Sequence, residues 1–194
     1  MRILLYNIRY ATGFGKNYHL PVPYAGFFRF TNNTLQEIIN YIYSVDPDII
    51  ALIEVDAGSY RSSFDCQAGL IGKALHYTHL IESKYGENSF ATKIPVLNRQ
   101  SNALLSRLPI EDHRFHYFDD GVKKLIIQAN FADFTIFVVH LSLKFRHRQN
   151  QLEYLYQLVT QQSSPVIVAG DFNTFWGSRE LKLFLSATGL KNAD

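Results

Sequence analysis

The chain has 194 residues, 47% of them hydrophobic and 19% charged, which excludes a disordered segment and suits one domain with a sizeable core. A formal net charge of +2 excludes the broad basic field of a non-specific nucleic-acid binder, although a local basic rim is compatible with it. The single cysteine, Cys66, excludes an internal disulfide framework and a cysteine-based zinc site. The opening MRILLYNIRY is too short and too polar for a signal peptide or a membrane span, so a soluble, cytoplasmic protein without integral membrane association is expected.

In chain order, Arg2 to Ile8 is aliphatic and reads as a strand that reaches a polar end at Asn7. Residues 13–30 follow without a clear period, rich in Gly, Pro and aromatics, and read as a long loop. Leu35, Ile38, Ile39 and Ile42 recur at helical spacing, which predicts a helix over Thr34 to Val45, opened by a Thr34/Glu37 capping box and stopped by Asp46-Pro47. The apolar run DIIALIEV is too short for another helix and predicts a buried strand ending at Glu54. Cys66 to Leu75 reads as a second helix and NALLSR, Asn102 to Arg107, as a strand. Lys123 to Phe131 and Phe134 to Ser142 read as two strands joined tightly at Ala132-Asp133, the second reaching His140. A helix is predicted over Arg146 to Gln162, a strand over PVIVAGDFNT leading to Asp171 and Asn173, and a last helix over Ser178 to Ala187.

Four predicted strands therefore end in polar side chains: Asn7, Glu54, His140, and Asp171 with Asn173. Burying a polar group without a partner costs roughly 2–7 kcal/mol, so the economical expectation is that these ends lie side by side and form one site. Glu54, Asn7 and Asp171 offer hard oxygen ligands, a set that suits Mg²⁺ or Mn²⁺ beside a phosphate. The chain has no zinc-spaced histidine cluster, no Gly-rich phosphate loop ending in Lys-Ser/Thr and no Gly-x-Ser-x-Gly elbow. What remains is metal-assisted attack of water on phosphorus, with Asp171 taking a proton and His140 and Asn173 donating to phosphate oxygens. Each residue also has a plainer structural reading: Asn7 as a turn cap, Glu54 as a surface carboxylate, His140 as a core histidine, and Asp171 with Asn173 as an Asx-turn.

LLYNIRY, DPDIIALIEVD, SNALLSRLPI, VVHLSL and PVIVAGDFNT, in this order, resemble the motifs of the endonuclease/exonuclease/phosphatase superfamily. The resemblance runs from Arg2 to about Thr174. It implies an α+β fold, a two-sheet β-sandwich flanked by helices, and hydrolysis of a phosphate ester with a divalent metal. It places Asn7 and Glu54 in the metal site, His140 on the scissile phosphate or leaving group, Asp171 on the attacking water and Asn173 as its orienting partner. The family pattern continues with a further Asp and a Ser-Asp-His that this sequence does not contain. One domain lacking the family's last strands is therefore expected, with low turnover and an exposed sheet edge able to associate with another chain.

A phosphate-ester substrate is expected, with a small-molecule or lipid phosphodiester ranked ahead of nucleic acid on the modest charge and the aromatics of residues 13–30. A DNA repair-type endonuclease and a non-catalytic binding module are the alternatives. Arg107 is assigned to local pairing. Arg146, His147 and Arg148 read as a solvated helix start that calls for a nearby anion. Phe175 and Trp176 are expected to shape the substrate pocket.

Overall fold

The computed structural model describes residues 1–13, 31–86, 93–119, 121, 123–174 and 179–193. They form two compact units, Met1–Leu108 and Pro109–Asp194. Phe27, Phe28 and Phe30, expected to complete the core, Phe14, Tyr18 and Tyr24, left open between core and substrate contact, and Phe175 and Trp176, expected at the pocket, all lie outside the described residues.

In the first unit, β1 (Ile3–Asn7), α1 (Asn32–Val45), β2 (Ile49–Asp56), α2 (Gln67–Leu75), β3 (Thr78–Ser83) and β4 (Gln100–Ser106) follow one another. The sheet has the order β1-β2-β4-β3. β1 and β2 are parallel, with Asn7 opposite Ile53, and β4 runs antiparallel to both β2 and β3. Leu35, Ile38 and Ile42 of α1 and Ala68, Ile71 and Leu75 of α2 bury against Ile50, Leu52 and Val55 of β2 and Ala103 and Leu105 of β4. The expected capping box does not form. The helix begins two residues earlier, at Asn32 after Thr31, whose hydroxyl donates to the Arg61 carbonyl at 3.2 Å, so Thr34 lies inside the first turn. Nor does β2 stop at Glu54; it runs on to Asp56 through an irregularity. Arg107 pairs locally as expected, with Asp46 at 2.5 Å.

In the second unit, β5 (Asp112–Tyr117), β6 (Leu125–Asn130), β7 (Thr135–His140), α3 (Phe145–Thr160), β8 (Val166–Asp171) and α4 (Arg179–Thr188) form a sheet of order β5-β6-β7-β8 with its helices. β5, β6 and β7 are antiparallel, and β8 returns parallel to β7 after the α3 crossover. Leu152, Leu155, Leu158 and Val159 of α3 and Phe184 of α4 pack on Ile126, Phe137 and Val139. The Ala132-Asp133 hairpin closes with the Phe131 N–H on the Phe134 carbonyl at 2.8 Å and the two rings stacked at 4.6 Å. Of the expected solvated helix start with its nearby anion, the solvation fails at Arg148, which is buried, and the anion is present. The Arg148 guanidinium pairs with Glu180 of α4 and donates to the carbonyls of Ser142 and Leu143 at 3.1 and 2.9 Å.

The fold class is α+β with two four-stranded sheets and helices. No described helix is long and apolar enough to cross a membrane.

Candidate active site

The parallel pairing of β1 with β2 carries Asn7 and Glu54 to the same end of the first sheet. Asn7 ends its strand as an Asx-turn, its side-chain oxygen accepting the Arg9 N–H at 3.1 Å. Leu52 pairs with Ala103 and Val55 with Ser101, which leaves Ile53 and Glu54 together opposite Asn102. That is a β-bulge, a device that re-aims a side chain at a strand end. Glu54 sits in it at φ +58°, a left-handed conformation that costs a residue with a Cβ about 1–2 kcal/mol. Its N–H donates to the Asn102 side-chain oxygen at 3.2 Å.

The chain around Glu54 is held by a buried polar frame. Asp56 is 0% and Arg61 1% exposed, and they pair at 2.5 Å. Asp56 also accepts from the N–H groups of Gly58 and Ser59 at 3.0 and 2.7 Å and from the Ser59 hydroxyl at 2.7 Å. Arg61 lies 4.3 Å over the Tyr10 ring, and the Lys84 ammonium donates to the Tyr10 hydroxyl. Burial first, and then the negative charge of Glu54, pushes the Tyr10 phenol well above its ordinary range.

In the second sheet His140 and Asp171 are direct partners in the β7/β8 register. His140 is buried, with its Nε2 3.7 Å from Asp171 Oδ2 and hydrogen-bonded to the Lys123 ammonium. Asp171 is about a third exposed. Its Oδ1 accepts the Asn173 N–H at 3.0 Å, which makes the Asx-turn expected of a strand end. Asn173 is buried at φ +51°, and its amide donates to the Leu141 carbonyl at 2.7 Å. It braces the turn that presents Asp171. Gly170 is required one residue earlier: a Cβ there would lie 2.0 Å from the Val139 carbonyl oxygen. The loop carrying Lys123 is fixed by Gln151, which donates to the Lys123 carbonyl at 2.9 Å and accepts the Ser142 N–H at 2.8 Å.

The five residues expected from the sequence thus occur as two sets, Asn7 with Glu54 in the first unit and His140 with Asp171 and Asn173 in the second. Lys123, Asn102 and Tyr10 belong to these surroundings and were not expected. Lys123 precedes its strand by two residues and Asn102 lies inside one, so neither ends a strand, which was the signal used. Among the described residues no group of three His, Cys, Asp or Glu comes together to hold a metal ion. The pair of Asn7 and Glu54 supplies one amide oxygen and one carboxylate. That fits a hard cation of the Mg²⁺ type, which keeps several waters and takes one or two carboxylates from a protein.

The family model described as the Endonuclease/Exonuclease/phosphatase family matches residues 4–192, across both units. The protein YbhP of Escherichia coli strain K12 is 27% identical over 162 residues, covering 77% of this chain and 63% of its own length. The chain therefore spans less than two thirds of the curated relatives it matches. The structure resembles the human Nocturnin catalytic domain solved with a bound sulfate anion, at TM-score 0.67 and 21% identity over 99% of this chain and 72% of that one. It also resembles beta toxin from Staphylococcus aureus, at TM-score 0.68 and 13% identity over 99% and 72%. At these identities the likenesses establish a shared fold.

Proposed function

The chain belongs to the Endonuclease/Exonuclease/phosphatase family, and from that premise we propose that it is a divalent-metal-dependent phosphodiester hydrolase of Mg²⁺ or Mn²⁺, acting on a small-molecule or lipid substrate. The observation that carries the reading is the alignment of His140 with Asp171 on adjacent parallel strands, with the Lys123 ammonium on the imidazole. A buried imidazole, a carboxylate about a third exposed and a cation together suit a phosphate ester and the water that attacks it.

Each residue has a task that follows from its surroundings. Asp171 takes a proton from the attacking water through the carboxylate that the Asn173 N–H holds in place. The Lys123 ammonium, which donates to His140 Nε2, has further N–H groups for a phosphoryl oxygen that gains charge, and His140 holds that ammonium in place. Asn173 keeps the Asp171 turn rigid and has a second amide hydrogen for the water or phosphate. Asn7 and Glu54 would hold the metal, which when bound supplies Lewis-acid neutralisation of phosphoryl charge. The sulfate bound in the Nocturnin domain has the tetrahedral oxyanion shape of the ester that this reading requires. The net charge of +2 supports the ranking of small-molecule or lipid diesters ahead of nucleic acid.

A panel of bis(p-nitrophenyl) phosphate, a choline phosphodiester lipid and an abasic-site DNA duplex, assayed with Mg²⁺, tests both the reaction and the ranking. Cleavage of one of the first two, lost in His140→Ala and Asp171→Asn, is the expected result. Cleavage confined to the duplex would move the protein to the repair nucleases. No cleavage of any of them would favour a binding module.

A further inference from the structure

Asn102 is 1% exposed within β4, directly before the buried apolar run of Ala103, Leu104 and Leu105. It stands opposite the two-residue bulge that contains Glu54, and its side-chain oxygen is the acceptor for the Glu54 N–H. Its amide nitrogen is buried and has no hydrogen-bond partner among the described residues. An amide kept in a core with its donors unmet is unfavourable for stability. A Leu of similar size would avoid those unmet donors but would leave the Glu54 N–H without its acceptor, so the bond to Glu54 is what accounts for Asn102. What it does provide is an acceptor placed where the left-handed Glu54 backbone presents its N–H.

We propose that Asn102 is a positioning residue for the metal site: it holds Glu54 in the bulge so that the carboxylate meets the cation without reorganising. The inference rests on the assignment of Glu54 to the metal and goes beyond it. Groups that orient a ligand from behind contribute about 10–100-fold in metal affinity when removed. Asp in place of Asn102 keeps an acceptor of the same shape and exchanges the buried amide donors for a carboxyl group. Leu removes the acceptor while keeping the volume. The two substitutions therefore separate the positioning role from packing.

The experiment is Mn²⁺ binding to the intact chain, read by the electron paramagnetic resonance of free Mn²⁺, with the melting temperature in EDTA recorded for each variant. Glu54→Gln should lose the site. Asn102→Leu should bind Mn²⁺ about tenfold or more weakly, while melting without metal within a few degrees of wild type. Asn102→Asp should bind within about threefold of wild type, or more tightly because of its added charge. Wild-type affinity in Asn102→Leu, with Glu54→Gln impaired, would overturn the positioning role and leave the metal assignment standing. Equal weakness in the Asp and Leu variants would overturn it too, as would a large fall in the metal-free melting temperature of Asn102→Leu. Wild-type affinity in Glu54→Gln would remove the metal assignment itself and the inference with it.

Discussion

Replacing Glu54 with Gly should stabilise the metal-free protein while removing its function. Glu54 adopts φ +58° inside β2, where a Cβ-bearing residue is strained by about 1–2 kcal/mol. Gly escapes that strain but gives up roughly 0.5–1 kcal/mol through the greater freedom of its unfolded chain. The difference leaves a gain of about 0–1.5 kcal/mol, or roughly 0–6 °C in melting temperature for a chain of this length. The backbone hydrogen bond to Asn102 survives the change. Glu54→Ala keeps the strain and loses only the carboxylate, so its melting temperature should stay within about 2 °C of wild type. Both variants should lose Mg²⁺-dependent hydrolysis. The assay is thermal melting by circular dichroism in EDTA, with activity in Mg²⁺ measured on the same preparations. A Gly variant that melts 5 °C or more below wild type would show that the Glu54 side chain supports the fold, and the strain argument would fail.

Asp56→Asn leaves the buried Arg61 without its counter-charge and should destabilise the chain by about 3–5 kcal/mol, read as a fall in the urea midpoint. Glu180→Ala breaks the buried pair with Arg148 and should cost a similar amount, about 3–5 kcal/mol; a melting temperature unchanged within error would contradict the burial argument. The raised Tyr10 phenol favours the neutral form in the folded state, so its contribution is intact below the ordinary phenol range and is lost as pH rises through and above it. Tyr10→Phe should therefore flatten the loss of stability above about pH 10, which chemical denaturation at pH 9 and 11 would show.

Strands with a continuous apolar run were legible because such a run is too short for a helix: β2, β6, β7 and β8 fall within a few residues of their expected bounds. The helices α1 and α3 were legible from their spacing of Leu and Ile. THLIES and DHRFHY, the strands β3 and β5, were missed because they are polar and only half-buried or exposed, whereas β1 and β8, which also lie at sheet ends, keep an apolar run. Their charges suit an exposed edge, and without an apolar run nothing in those stretches marks them as strands. Arg148 was misread for a tertiary reason, since its partner Glu180 is a helix away in sequence. The site residues at strand ends were legible as polar interruptions of apolar runs. The bulge at Glu54 was not, because a left-handed non-glycine residue leaves no compositional trace; it follows from the pairing of β2 with β4.

The most direct test of the account is the rate of bis(p-nitrophenyl) phosphate hydrolysis by the purified 194-residue chain, measured side by side for wild type, Glu54→Gln and Asp171→Asn, each with Mg²⁺ and with EDTA. The account predicts turnover in wild type that requires Mg²⁺ and falls by on the order of 10²–10⁴-fold in Asp171→Asn, with Glu54→Gln reduced to the EDTA level. Hydrolysis that persists in EDTA, or that survives both substitutions in Mg²⁺, would contradict it.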